Sequence, residues 1–257
     1  MTAPTATPGR YLGKLAAVED ARTLQVARYL TGPTLPEPPK PPFTLAGGVT
    51  FGMFGNDVAG DCAIVAPFNL IRTDVWNARE QVAALSTEQA IAIYSRMSGY
   101  DPATGAHDVG LVELDVLKVW RKSGLAGHTI EAFAAVDVGR RRLVQQAIAL
   151  FGGLYVGAEL PISAQAENEQ GQTWRLHRGP DGKPGSWGGH AMAAIGYTSV
   201  GVWLVTWGGL QLATWSWWMR YVSEAYAVLT ADWLDEAGRS PDGFDVPALR
   251  RDLQLVA

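Results

Sequence analysis

The chain has 257 residues, 47% of them hydrophobic and 18% charged, with a formal net charge of −4. That length supplies a substantial core in one large domain, and the acidic balance offers no basic face for nucleic acid or an anionic membrane. No basic stretch followed by an apolar core opens the sequence, and a single cysteine leaves neither an intramolecular disulfide nor a two-thiolate zinc site. No run approaches the roughly 18 apolar residues of a membrane span. The expectation is a soluble protein made in the cytoplasm, with no cofactor and no metal.

Residues 1–50 read as an arm. Residues 15–29 have the spacing of a short helix, after which Pro33, Pro36, Pro38, Pro39, Pro41 and Pro42 crowd together. Proline fixes φ and lacks a donor, so this stretch is predicted to be extended, to pack along a surface and to add no core strand. One domain is predicted over residues 51–235 and a tail over 236–257. From Gly52 the glycines Gly55 and Gly60 lead into Cys62, and Ile64, Val65, Phe68, Ile71 and Val75 then fall on one stripe of a helix of roughly four turns. Pro67 removes a hydrogen bond to the Ala63 carbonyl and should bend the first turns. Ser86 and Gln89 match a capping box, opening a helix that runs to about Ser98. A third helix is predicted over 110–122, stopping at Gly124, and a fourth over 139–150.

The last hundred residues alternate differently. Residues 153–159, 190–197 and 202–207 are short apolar or alternating runs bounded by glycine and read as strands. Residues 168–185 are polar with glycine and proline and read as a loop. A short helix over 215–223 takes Thr214 as its cap, and a strand follows over 225–229. Helices first and strands second predict an α+β domain, a helical half packed on a sheet half.

The chemistry gathers at Cys62. A helix N-terminus presents unpaired N–H groups and a partial positive charge, which stabilise a thiolate placed there. A thiolate so placed attacks if a histidine holds and passes its proton. His190, after Gly188 and Gly189 and at the mouth of an apolar strand, is the candidate base; His107 and His177 sit in polar turns and His128 at an interhelix connection. Asn56 lies on the loop that turns back over the helix start, where its amide and the Cys62 N–H are positioned to hold an oxyanion. Asn56-Asp57 is equally a natural turn pair. The tryptophans Trp203, Trp207, Trp215, Trp217 and Trp218 read most simply as packing, with a stacking platform as the alternative. The stretch Asp101 to Asp108 lacks the spacing and closing glutamate of a Ca²⁺ loop, and Arg140 to Arg142 reads as a solvated helix start.

These pieces resemble the papain-like cysteine peptidase superfamily. The match rests on Asn56 ahead of Cys62 at a helix start, Gly189-His190-Ala191 entering a strand, and Thr206-Trp207-Gly208 after the next strand. It extends over about residues 50–234. The Cys-to-His interval of 128 residues is close to the family's roughly 130–150. The resemblance implies a helical lobe carrying the cysteine packed on an antiparallel β lobe carrying the histidine. It also implies Cys62 as nucleophile, His190 as base, Asn56 as oxyanion donor, and Trp207 as the indole shielding the histidine's partner. The sequence departs from the family in having Asn56 where glutamine is usual and Gly-Asp-Cys-Ala around the cysteine. The orienting Asn or Asp is replaced by Val205 or Thr206, depending on whether the count runs from Trp207 or from His190. A further resemblance is to phage-encoded papain-fold proteins sharing the Gly-Asn-Asp…Gly-Asp-Cys, Gly-Gly-His and Thr-Trp-Gly pieces.

Two functions follow. One is a thiol hydrolase cleaving a peptide or related amide through a Cys62 acyl-enzyme. The other is a papain fold kept as a structural or binding component of a virus particle, its arm strapped to neighbouring chains. The partners expected are accordingly a peptide or protein substrate, or neighbouring virion chains.

Overall fold

The computed structural model describes residues 9–26 and 37–233, and in it one eight-stranded sheet carries helices on both faces. In chain order the elements are β1 (Leu24–Gln25), β2 (Phe43–Thr44), α1 (Cys62–Arg79), α2 (Thr87–Ser98), α3 (Glu113–Ser123), β3 (Ile130–Ala135), α4 (Arg141–Phe151) and β4 (Leu154–Leu160). Then come α5 (Ile162–Glu169), β5 (Gly188–Tyr197), β6 (Gly201–Thr206), β7 (Gly209–Thr214), α6 (Trp215–Tyr221) and β8 (Val222–Thr230). The strand order is β1-β3-β8-β4-β5-β6-β7, with β2 added to β5. Among the described strands β1 runs parallel to its neighbour, and the other pairs are antiparallel. The predicted α+β class, a helical half against an antiparallel sheet half, is what the chain adopts.

Strand side chains alternate between faces, and both faces of the central strands are covered. Leu154, Val156, Ala158, Met192 and Ala194 join a core with Val144 and Ile148 of α4 and Trp217 and Trp218 of α6. Their neighbours Tyr155, Ala191, Ala193 and Ile195 point the other way, into a core with Ile64, Phe68, Leu70 and Ile71 of α1. The apolar stripe expected on α1 is therefore the face laid against β5. This packing fixes the N-terminus of α1, and with it Cys62, at the β5 end that carries His190.

Pro67 sits inside α1 as the sequence requires, and the carbonyl it leaves without a helical partner does not go unused. The buried Tyr155 hydroxyl donates to Ala63 O at 2.8 Å. A side chain from the sheet closes the gap in the helix ladder and pins the helix start to β4. The capping box of α2 forms in both directions, Gln89 N–H to Ser86 Oγ at 3.3 Å and Ser86 N–H to Gln89 Oε1 at 2.9 Å.

The arm departs from expectation. Residues 15–25 form no helix; Leu24–Gln25 add to the outer edge of the sheet instead, paired with β3. Nor does the segment merely lie on a surface: Lys14 and Val26 are buried, at 5% and 1% exposure. Neither β1 nor β2 is a central strand. The prolines Pro33 and Pro36 and the 236–257 tail lie outside the described residues. Besides β1 and β2, three further elements escaped the sequence reading, namely β3, α5 and β7.

Candidate active site

The loop ahead of Cys62 is built by short polar contacts. Val58 and Ala59 N–H both donate to Gly55 O at 2.9 Å, and Asn56 Nδ2 donates to Ala59 O at 3.0 Å. The Asn56 amide thus serves its own turn, the role its Asn-Asp pairing suggests. Asp108 accepts Gly60 N–H at 3.0 and 3.1 Å and the Tyr94 hydroxyl at 2.5 Å, stapling the loop to α2. Asp101 is likewise spent within its own loop, on Ala103 N–H and the Thr104 hydroxyl.

Asp61 is the N-cap of α1, but its side chain makes no cap hydrogen bond. Its carboxyl is buried, and neither oxygen is hydrogen-bonded among the described residues. Burial raises its pKa well above the usual carboxyl range, against the pull of the Asn56 amide. The residue beside the thiol is thereby driven toward its neutral form. Cys62 itself is 1% exposed, and its Sγ accepts the Ala191 N–H at 3.4 Å. Burial pushes the thiol up to about 12, while the Ala191 and Gly13 amides work in the opposite direction.

His190 precedes Ala191 near the start of β5. Its Nε2 lies 2.7 Å from Thr206 Oγ1, and its Nδ1 has no hydrogen-bond partner among the described residues. Of the two positions the sequence left open, Thr206 is the one at the imidazole; Val205 packs into the α1-side core. Burial pushes His190 down to about 3. Trp207 stacks on the imidazole with ring centres 4.3 Å apart and planes 18° apart, and Trp187 leans on Trp207 at 5.4 Å. Trp207 reaches that position at a backbone cost. It occupies the first central residue of the two-residue β6–β7 turn with φ 44°, followed by Gly208 at φ 72°. Such hairpin turns need positive φ at both central residues, a region bulky side chains avoid. The strain sits at the candidate site, as strain often does.

The cleft between these parts is filled by the chain's own N-terminal segment. Tyr11 N–H donates to Asn56 O at 3.0 Å, Lys14 N–H to Gly189 O at 3.1 Å, and Leu111 N–H to Gly13 O at 2.8 Å. Trp207 Nε1 donates to Tyr11 O at 3.3 Å. The approach is close enough that only glycine fits: a Cβ on Gly13 would strike the Gly60 carbonyl, and one on Gly189 the Lys14 carbonyl. Residues 10–15 therefore lie across both Cys62 and His190, which explains the burial of each. Read from sequence, this segment belongs to an arm, and its entry into the cleft is missed. The signal available was Gly13 itself, a lone glycine between bulky residues.

The remaining histidines with carboxylate neighbours are tied elsewhere, His128 Nδ1 to Asp232 at 2.7 Å and His177 Nε2 to Glu167 at 2.8 Å. Trp215, Trp217 and Trp218 are buried packing residues. Arg141 stacks over Trp215 and donates to Ser199 O, and Arg142 pairs with Glu37.

No family model matches the sequence, and no curated protein matches it either. Solved structures do. Xylellain, a cysteine protease from Xylella fastidiosa, superposes with a TM-score of 0.52 at 12% identity, covering 89% of this chain and 99% of that one. A proCathepsin B from Trypanosoma congolense gives 0.52 at 12% identity over 86% and 87% of the two chains. The cysteine protease CMS1MS2 of Carica candamarcensis gives 0.50 at 14% identity, over 73% of this chain and 97% of that one. What is shared at these identities is the fold, the two-lobed α+β arrangement of papain-like cysteine proteases. Among the described residues no helix is long and apolar enough to cross a membrane.

Proposed function

We propose that the protein is a papain-like thiol hydrolase acting on a peptide or related amide bond, held in a covered state by its own residues 10–15. The observation that carries this reading is the contact of the Cys62 sulfur with the Ala191 N–H, one residue beyond His190 on β5. Cys62 opens α1 with its sulfur against the amide next to His190, and Thr206 holds the imidazole Nε2 so that Nδ1 is left for the thiol proton. In the reaction the Cys62 sulfur forms a bond to the substrate carbonyl carbon as its proton passes to His190 Nδ1. The carbonyl oxygen takes up negative charge, which the Cys62 N–H at the helix start, with the second N–H of Asn56, is suited to hold. His190 then returns the proton to the amine nitrogen as the C–N bond breaks. Water, deprotonated by the same imidazole, releases the acid and restores the thiol. Trp207 shields the Thr206–His190 contact from water throughout.

With the segment in place, both groups are neutral: burial raises the thiol and lowers the imidazole. Uncovering the cleft removes the largest opposing cause for each and leaves the helix N-terminus to favour the thiolate. Gly13→Ala provides the means, since the added Cβ runs into Gly60 O. In the full-length Gly13→Ala chain, Cys62 should be alkylated by iodoacetamide near pH 6, far below the ordinary thiol pKa of about 8.5. The native chain should label at least about tenfold more slowly, and adding His190→Ala should slow the uncovered chain to a similar degree. Labelling that stays slow at pH 6 after Gly13→Ala, with no response to His190→Ala, would abandon the hydrolase. The second reading, a structural or binding component of a virus particle, would then stand. It draws on the phage-like sequence pieces and on a threonine in place of the usual orienting Asn or Asp.

A further inference from the structure

The residue after Gly13 does more than cross the cleft. The Lys14 side chain is wholly enclosed, and Nζ lies 3.1 Å from Glu159 Oε1, 3.0 Å from Glu224 Oε1 and 3.0 Å from Leu15 O. A third carboxylate, Glu113 at the start of α3, is fully buried, and neither of its oxygens has a hydrogen-bond partner among the described residues. Gly157 marks where these groups meet. A Cβ there would collide with Lys14 Cε and come within 2.7 Å of Glu113 Oε1. Glu113 is thus aimed at the same spot the lysine stem fills, above a glycine that leaves room for it.

The pocket adjoins the candidate catalytic pair by strand register. Gly157 stands opposite Ala191 on β5 and opposite Glu224 on β8, while Glu159 stands opposite Gly189. Its acidic groups come from three elements, α3, β4 and β8, and among the described residues they share a single ammonium. A structural ion pair has no need of surplus buried carboxylate, because each unpaired polar group in an interior costs stability. Burial opposes the charge on Lys14, but attraction from Glu224, Glu113 and Glu159 outweighs it and raises the lysine pKa. Burial also drives Glu113 well above the usual range, with repulsion from Glu224 adding and Lys14 opposing.

We propose that Glu113, Glu159 and Glu224 over Gly157 form a recognition pocket for a lysine-type side chain of a peptide, and that Lys14 is its tethered occupant in this structure. The word substrate for that peptide rests on the hydrolase reading above; the binding does not.

The test uses the full-length chain carrying Cys62→Ala, to suppress turnover, and Gly13→Ala, to unseat the segment. The probe is a fluorescein-labelled peptide with the sequence of residues 10–16, compared by anisotropy with a twin carrying norleucine, which keeps the stem and removes the ammonium. The lysine peptide should bind at least about tenfold more tightly than its twin, and Glu224→Gln should erase most of that preference. Equal affinity for the two peptides, or no binding of either to a cooperatively melting chain, overturns the pocket. Should the Gly13→Ala chain fail to fold, Lys14→Ala gives the second route. Millimolar n-propylammonium replaces the missing stem and ammonium and should raise that variant's Tm, whereas 1-propanol should not; equal effects of amine and alcohol overturn the proposal. Because turnover is absent from these measurements, their failure leaves the thiol hydrolase standing. An unreactive Cys62 in the labelling experiment likewise leaves peptide binding untouched.

Discussion

The Thr206 hydroxyl is the smallest group asked to orient an imidazole here, and among the described residues it is also the sole hydrogen-bond partner of the His190 ring. Thr206→Val keeps the shape and removes the oxygen, leaving both ring nitrogens buried and unpaired. A buried donor stripped of its acceptor costs about 1–3 kcal/mol, so the variant should melt at lower temperature. In the Gly13→Ala background it should also slow Cys62 alkylation near pH 6, because the imidazole is no longer held with Nδ1 free. A Thr206→Val chain that loses stability with no change in alkylation rate would make the threonine a packing residue only. Val205, one position earlier, offers nothing comparable: it faces the α1-side core opposite Ala193. Choosing between the two from sequence required knowing which face of β6 looks toward β5's histidine, and a period-two pattern cannot say which parity is which.

At the scale of elements, the helix that carries the cysteine is set by a bond from the sheet. Tyr155→Phe removes the hydroxyl that occupies Ala63 O and nothing else in the ring's packing. It should cost about 1–2 kcal/mol of stability by chemical denaturation, and it should raise hydrogen exchange in the first turns of α1 above that of α2, whose capping box is untouched. Unchanged exchange would mean that the Pro67 gap needs no closing. The four long helices and the strands β4, β5, β6 and β8 were legible because each combines a strong period with a cap or a glycine stop. The misses have local causes. The alternation of β3 is interrupted by a register shift between Ile130 and Ala132; α5 has eight residues within a polar run, and β7 follows a tight turn whose first central residue is a tryptophan. At the site, Cys62, His190 and Trp207 carried signals in their flanking glycines and spacing. Glu113, Glu159 and Glu224 carried none: Glu159 and Glu224 are lone charges in their strands, Glu113 is one of several charges in α3, and the sheet brings them together.

For the whole molecule, acid and base act on buried groups in opposite senses. His190 has its folded pKa pushed down to about 3, so its neutral burial stabilises the fold above the ordinary histidine pKa and that contribution is lost as pH falls. Asp61, Asp74 and Glu113 are raised by burial; their protonated forms suit the fold, and their contribution is lost as pH rises above the ordinary carboxyl range. A direct pH profile mixes the two, but the difference between the native chain and His190→Gln isolates the first. Between pH 7 and pH 5 the native chain should lose roughly 2 kcal/mol more than the variant, at about 1.4 kcal/mol per unit below the unfolded histidine pKa. Parallel profiles would mean that His190 is hydrated in the folded state. The path of the arm has a consequence of another kind. Lys14 in the cleft and Leu24 on the sheet edge are ten residues apart, so the segment competes at an effective concentration on the order of millimolar. A free peptide of equal intrinsic affinity must reach a similar level to displace it, and dilute peptides are ignored. A visitor gains entry by bringing extra contacts of its own, or by arriving already held nearby. The cleft is thereby filtered by dose and by company, before any chemistry is asked of Cys62.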